Sequence, residues 1–408
     1  MTAGSRGDVA PYTGLGHALY RAGHEVTLVT HGCFERLVAD SGVRFHPLPL
    51  DPRAELESER GRNLHRSGTG LGKLVRVVSL ARSLAGSLTD DMLAAARSSD
   101  ALLLAPSTAP LGRVIAEGLS LPSIELPLQP LAPTREFAPA MLGGGSWGSL
   151  PNRVGGHAVN LAIERVFSTA VPDARARLGL PPRDKVRGPR RGRPADTVLH
   201  GFSPVVVPKP HDWGPHLRVT GYWWPYDGQA QLPAELRDFL DAGPPPVFVG
   251  LGSATVPDPA GLSAEVVRAV RAAGLRAVIQ RGWGGLAAAG DDVLTIDEVP
   301  HSALFPRMAA VVHHCGAGTT AAGLRAGVPA VPVPIQFDEA FWGARLVSLG
   351  VAPRALGLRR FTADALTAAL RQATGDPSYG HRARALADGL RIEDGTAPVV
   401  EAVHRLGG

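Results

Sequence analysis

The chain has 408 residues, 44% hydrophobic and 19% charged, with a net charge of +5. This excludes a disordered chain and is long for one core, so two domains are expected. Only two cysteines, Cys33 and Cys315, occur, far apart in sequence. That excludes a disulfide framework and gives no Cys/His metal spacing. The basic excess is mostly Arg and clusters at 183–193 without interleaved aromatic residues, so nucleic acid is not an expected partner. No secretory leader is expected, and no apolar run of about 18 residues occurs. The protein is expected to be cytoplasmic, without stable membrane insertion.

The first residues lead directly into Gly4-Ser5-Arg6-Gly7-Asp8-Val9-Ala10-Pro11, a Gly-rich turn. A helix is expected over 12–22, then a strand over 24–30. The strand that should precede this turn, usually central in a doubly wound sheet, is almost entirely missing, and the expectation is a true start upstream of Met1. Further strands are expected at 43–48, 101–105, 122–126, 197–200 and 217–220. Residues 51–70 read as a loop and 71–97 as a helical stretch with apolar residues at helical spacing. Helices are expected over 110–119 and 154–178. Between them, the Pro- and Gly-rich loop 130–150 carries Phe137, Met141 and Trp147 and suits the wall of an apolar pocket.

A boundary falls after Trp224. Residues 225–246, ending in three prolines, suit a fairly stiff linker. A second α/β series follows, with strands at 247–250, 277–279, 293–296, 308–312 and 328–333 and a helix over 260–273. Residues 395–408 read as a terminal helix that can pack back on the N-terminal domain. The layout is an N-terminal Rossmann-like domain over 1–224, a linker over 225–246 and a C-terminal one over 247–394, with a cleft between them.

The most informative stretch is His313-His314-Cys315-Gly316-Ala317-Gly318-Thr319-Thr320, after a buried strand and before an Ala-rich helix. A strand, a glycine turn and a helix start point backbone N–H groups and a positive helix end at an anion. Gly316, Ala317, Gly318, Thr319 and Thr320 are therefore the candidate diphosphate ligands. Ser253, after its own buried strand, suits a second phosphate or sugar contact. Other signals fail. Gly68-Thr69-Gly70-Leu71-Gly72-Lys73 lacks the first glycine of a P-loop and has Leu74 where Ser or Thr would hold magnesium. No Gly-x-Ser-x-Gly elbow and no His-Glu-x-x-His helix occurs.

The chain resembles the GT-B fold glycosyltransferases of family 1, in the branch of the sterol glucosyltransferases and glycopeptide-antibiotic glycosyltransferases. The resemblance is carried by Gly4-Ser5-Arg6-Gly7-Asp8-Val9, by His211-Asp212-Trp213-Gly214-Pro215-His216 and by Val219-Thr220-Gly221-Tyr222-Trp223. It continues through Val249-Gly250-Leu251-Gly252-Ser253, Gly282-Trp283-Gly284-Gly285-Leu286, Val299-Pro300-His301 and the 313–320 stretch to Phe337-Asp338-Glu339-Ala340-Phe341-Trp342-Gly343. It spans almost the whole chain.

The resemblance implies inverting, metal-independent transfer of a sugar from a nucleoside diphosphate sugar, UDP- or dTDP-linked, to a hydroxyl of a lipophilic small molecule. The acceptor would be sterol-like or an antibiotic aglycone. No cofactor is expected beyond the nucleotide sugar as co-substrate. Asp8 is the candidate general base and also a candidate helix cap; His17 is a weaker alternative, and Ser5 would shape the acceptor side with Phe137 and Trp147. His314 matches the family position that contacts the diphosphate, while His313 would be structural. Asp338 and Glu339 match a sugar-reading pair, although the second is more often Gln. Trp283 would border the nucleoside, unless it is a core residue, and Val299 would present its backbone to the base. Ala322 stands where many plant relatives carry a ribose-binding Glu. The alternatives are a nucleotide-sugar epimerase of similar fold and a catalytically decayed nucleotide-sugar-binding protein.

Overall fold

The structure is a computed structural model that describes residues 1–49, 51, 88–182, 197–228 and 231–406. Nearly all of the loop expected over 51–70, most of the helical stretch 71–97 and the basic loop 183–193 lie outside the described residues. The rest forms two lobes, each a parallel sheet flanked by helices, which is the doubly wound class expected.

In the N-terminal lobe, α1 (Arg6–Arg21) is capped by Ser5 and begins six residues before the helix start expected at Tyr12. Asp8, in its first turn, reaches back to the Ser5 backbone and caps the start. Pro11 lies inside the helix. It removes the bond to the Gly7 carbonyl, which costs little because Gly7 is exposed. Val9, Tyr12, Leu15 and Leu19 recur at helical spacing and are buried.

Strands β1 (Thr27–His31) and β2 (Arg44–Leu48) pair in parallel. Helix α2 (Thr89–Ala96), β3 (Leu102–Leu104), α3 (Ala109–Leu119) and β4 (Ser123–Glu125) follow. The slot of the strand missing from the sequence pattern is held by the first residues. Thr2 N–H donates to Val29 O at 3.0 Å, the Ala105 N–H donates to Met1 O at 3.0 Å, and the Met1 amine donates to Leu103 O at 2.7 Å. These bonds join β1 to β3.

The helix expected over 154–178 is two helices, α4 (Ser149–Val166) and α5 (Ala170–Arg177). Pro172 sits in the first turn of α5, where its missing N–H is tolerated; in one continuous helix it would break the ladder. Strands β5 (Val198–His200) and β6 (Leu217–Val219) complete the sheet order β3-β4-β5-β6.

The expected linker is interrupted by α6 (Ala234–Asp241). Leu236 and Leu240, four residues apart, are buried with Phe248 and Val278 of the second lobe. Burying each contributes about 1.5–3 kcal/mol, enough to dock so short a helix. The second sheet has the order β11-β10-β7-β8-β9. Its strands are β7 (Val247–Gly250), β8 (Ala277–Gln280), β9 (Val293–Ile296), β10 (Ala310–His313) and β11 (Ala330–Pro332). The helices between and after them are α7 (Pro259–Ala272), α8 (Ala317–Ala326), α9 (Glu339–Ser348), α10 (Ala363–Gly375), α11 (Pro377–Ile392) and α12 (Ala397–His404).

Val399 and Ala402 of α12 pack on the first lobe with Val9, Leu15 and Leu19. The lobes also share a core. Phe202, Val206 and Tyr222 from one side are buried with Leu324, Phe341 and Trp342 from the other. Arg345 donates to Val206 O across this junction. Among the described residues no helix is long and apolar enough to cross a membrane.

Candidate active site

A cleft of about 1480 Å³ lies between the lobes. Its C-terminal wall is built on the ends of β7, β10 and β11, where parallel sheets open their ligand sites. After β10 the chain turns sharply. Cys315 adopts φ +69°, and its N–H donates to His313 Nδ1 at 3.1 Å. His313 is buried and serves the turn, as a structural residue would. Gly316 then caps α8.

The first α8 backbone bond runs from Thr320 N–H to Gly316 O at 2.9 Å. The helix therefore leaves the N–H groups of Ala317, Gly318 and Thr319 for another acceptor. All three residues line the cleft, as does Gly316. Thr320 does not. Its side chain is buried and its N–H is used within the helix, so the expected diphosphate contact at Thr320 is not formed by this geometry. One residue further along a helix turns the side chain by about 100°, from the cleft into the core.

His314 lines the cleft between two glycines. A Cβ on Gly252 would lie 2.6 Å from His314 Cε1, and one on Gly316 would lie 2.5 Å from Nε2. A side chain at either position would have to displace the imidazole. Burial pulls the His314 pKa down to about 4, opposed by the Gly250 backbone, so the imidazole is neutral at pH 7. Ser253 and Trp283 face the same cavity, and Val299, although buried, contributes to its lining. Trp283 N–H donates to Gly252 O at 3.0 Å, tying the two glycine turns together.

Asp338 and Glu339 open α9. Asp338 Oδ2 accepts the Trp342 indole N–H at 2.7 Å. Burial raises its pKa to about 6, and the negative charge of Asp8 adds to the shift. Glu339 also lines the cleft, and one of its oxygens is engaged within the protein. Its Oε2 accepts the Ile335 and Gln336 N–H groups at 2.6 and 2.7 Å. The carboxylate thus holds its own loop in place, a task that a turn of free backbone N–H groups sets for any acceptor nearby.

The N-terminal wall is made by the first turn of α1. Asp8 Oδ2 accepts Ser5 N–H at 2.8 Å and Ser5 Oγ–H at 3.0 Å. Burial raises the Asp8 pKa, opposed by these two bonds. Ser5 and Asp8 both line the cleft. His17 does not face it. Its Nδ1 contacts Ser41 O at 2.7 Å and its ring packs on Tyr226.

Two residues expected on the acceptor side lie elsewhere. Phe137 packs on Phe341, with ring centroids 5.3 Å apart, and helps to join the lobes. Trp147 is 48% exposed and outside the cleft lining. The loop 130–150 sends Met141 and Leu131 to the cavity instead, with Ile163 and Phe167 from α4 and its end. Which side of an irregular loop faces a pocket is decided by tertiary packing, which local sequence does not encode.

Sequence reasoning missed Arg6, Trp224, Arg325 and Phe337, all of which line the cleft. Arg6 Nε is 3.1 Å from Glu298 Oε2, and the Arg325 guanidinium stacks 4.3 Å above the Trp224 ring. Arg6 stood in the same string as Asp8, so its charge was the available signal. Among the described residues, no group of three or more His, Cys, Asp and Glu side chains is placed to hold a metal ion.

Comparisons with known proteins bear on this geometry. Residues 1–137 match the glycosyltransferase family 28 N-terminal domain, and residues 264–406 match the erythromycin biosynthesis protein CIII-like C-terminal domain. The O-mycaminosyltylonolide 6-deoxyallosyltransferase of Streptomyces fradiae is 36% identical over 97% of this chain and 94% of its own length. A sterol 3-beta-glucosyltransferase of Arabidopsis thaliana is 32% identical over 99% of this chain. The chain spans 67% of that relative and 64% of a second one from the same plant. It spans 26% of the sterol 3-beta-glucosyltransferase of Debaryomyces hansenii.

Among solved structures, the glycosyltransferase SnogD from Streptomyces nogalater superposes with a TM-score of 0.66 at 22% identity, covering 100% of this chain and 98% of its own. SsfS6 from Streptomyces sp. SF2575, in complex with thymidine diphosphate, gives 0.65 at 22% identity, covering 99% and 98%. The fold is theirs, GT-B, and the chain belongs to the glycosyltransferase family that holds the sterol 3-beta-glucosyltransferases and the O-mycaminosyltylonolide 6-deoxyallosyltransferase.

Proposed function

We propose that this chain transfers a sugar, with inversion and without a metal ion, from a UDP- or dTDP-linked donor to a hydroxyl of a lipophilic acceptor. The acceptor class is a sterol or an antibiotic aglycone, as the names of the two kinds of relative suggest. One observation carries the reading. Asp8 and Asp338 come from opposite lobes onto one cleft, close enough for the charge of one to raise the pKa of the other.

The chemistry follows from the placement. The diphosphate would rest on the N–H groups of Ala317, Gly318 and Thr319, with Ser253 and neutral His314 beside it. As the sugar–phosphate bond breaks, negative charge grows on the leaving oxygen, and these donors and the α8 dipole stabilise it without reorganising. The same donors can do the work of a metal ion. Asp338 would orient the sugar hydroxyls. Asp8 would accept the proton of the acceptor hydroxyl as that oxygen attacks the anomeric carbon. Base and leaving group then lie on opposite faces of the sugar, which favours inversion. Closure of the lobes on donor and acceptor would exclude water and limit donor hydrolysis.

The test pairs binding with transfer. UDP- and dTDP-sugars should raise the melting temperature, because they bind the folded state alone. Asp8→Asn should keep that shift and lose transfer to a panel of sterols and macrolide aglycones by about 10²–10⁴-fold. Full transfer by Asp8→Asn would remove Asp8 from the mechanism. A melting temperature indifferent to every nucleotide sugar would overturn the reading itself.

A further inference from the structure

The loop 333–338 runs from β11 to α9 along the donor wall of the cleft. Its shape is fixed from within. Glu339 Oε2 binds the N–H groups of Ile335 and Gln336, and Glu339 N–H donates to Gln336 O at 3.2 Å. Asp338 is tied to the Trp342 indole, and Trp342 is fully buried. Phe337 sits between these clamps at φ +49°. That region favours glycine, and a residue with a bulky side chain rarely adopts it.

The Phe337 ring does not compensate by packing. It is 51% exposed and lines the cleft. Backbone strain of this kind persists where the surroundings over-determine it, and such places concentrate at ligand sites. The loop therefore holds an aromatic ring out of the core and presents it to the cavity, next to Asp338.

We infer that Phe337 is a specificity-determining residue: its ring packs on the donor sugar and selects a deoxyhexose over the fully hydroxylated hexose. The inference rests on the proposed donor role of this cleft. A hydroxyl pressed on the ring would give up its water without a new partner, which is unfavourable. A methyl or methylene at the same position gains apolar contact instead. The neighbouring polar capacity is also reduced. Asp338 spends Oδ2 on an indole N–H, and Glu339 spends Oε2 on two backbone N–H groups. This corner suits a sugar with fewer hydroxyls to satisfy.

The experiment compares dTDP-glucose with dTDP-6-deoxyglucose, and the corresponding UDP pair, by calorimetric Kd and by kcat/KM for transfer or hydrolysis. Free dTDP and UDP serve as controls. The wild type should favour the deoxy donor about 10–100-fold, the range one hydroxyl or methylene commands in an apolar subsite. Phe337→Gly should reduce that ratio to within about threefold, leave the affinity for the free nucleotide unchanged and keep or raise the melting temperature, since glycine relieves the φ. Phe337→Asn, whose backbone also tolerates this region, should do the same. An equal preference in wild type and both variants overturns the role of Phe337. Failure of free dTDP and UDP to bind the wild type overturns the donor-site reading beneath it.

Discussion

Arg6 and Glu298 form an ion pair of 3.1 Å that joins the first turn of α1 to the segment after β9. It links the two lobes at the cleft. The side chains are 37% and 60% exposed, so solvent screens the attraction, and such pairs are worth about 0–1 kcal/mol. Glu298→Gln should therefore shift the melting temperature by no more than about 2–4 °C. The larger effect should be on anions. Arg6 lies close enough to His301 to lower its pKa, and Glu298 neutralises part of the Arg6 charge. Removing Glu298 should tighten UDP and dTDP binding a few-fold at low salt, and the gain should vanish at high salt. Calorimetric titration at two ionic strengths checks this; weaker binding at low salt would mean that Glu298 itself holds the nucleotide.

The Asp8–Asp338 pair sets a pH dependence with an unusual sign. Burial raises Asp338 from 3.8 to about 6, with Asp8 adding to it, and burial also raises Asp8. The fold thus favours the protonated carboxyl. The stability linked to Asp338 is full below pH 3.8 and is lost as pH rises through 6, by roughly 3 kcal/mol in all. Asp338→Asn keeps an acceptor for the Trp342 indole and carries no charge. It should be more stable than wild type at pH 8 and equal to it near pH 3.5, in urea titrations. With Asp8 as the proposed base, transfer would need it ionised, and the wild-type rate should climb with pH through an apparent pKa above the ordinary carboxylate range, shared by the pair.

Three neighbouring histidines act in the opposite direction. Burial is the main cause that lowers His301 and His313 to about 3 and His314 to about 4. Arg6 and His314 add to the shift of His301, and His314 and His301 to that of His313. A depressed folded pKa means stability that is full above 6.5 and falls as pH drops toward 3–4. Each ring contributes a slope of up to about 1.4 kcal/mol per pH unit. His313→Asn should reduce the acid slope by one proton. Nucleotide binding adds a second signature. A diphosphate beside His314 favours its charged form, so binding between pH 4 and 6.5 should take up a proton, seen by calorimetry in buffers of different ionisation enthalpy. His314→Gln should abolish that uptake.

The elements that could be read from the sequence are those with local causes. The run into His313, the glycines after it and the Ala-rich helix each state their structure within a few residues, and so the wall at Gly316–Thr319 was legible. So was the turn holding Ser5 and Asp8. What local sequence could not give depended on direction or distance. Thr320 points inward because a helix turns about 100° per residue. Glu339 is claimed by the N–H groups of Ile335 and Gln336, a geometry that exists only once the loop has closed. Phe137 packs on Phe341, some 200 residues later, and neither it nor Trp147 is in the cleft lining. The α6 helix was hidden among prolines, although Leu236 and Leu240 carry its spacing.

The two glycines of the α8 turn give the sharpest test of where the diphosphate rests. At Gly316 a Cβ would collide with His314 Nε2 at 2.5 Å. Gly316→Ala should cost about 1–3 kcal/mol through overpacking and displace the imidazole, weakening nucleotide binding by more than about tenfold. At Gly318 a Cβ meets nothing within 4 Å, and the residue is helical. Gly318→Ala should therefore stabilise the free protein by about 0.4–1 kcal/mol. The methyl would project into the space that a diphosphate on the α8 N–H groups would use. If the diphosphate lies there, Gly318→Ala raises the melting temperature of the free protein and lowers its affinity for UDP and dTDP. A rise in stability with unchanged affinity would place the diphosphate away from the N-terminus of α8.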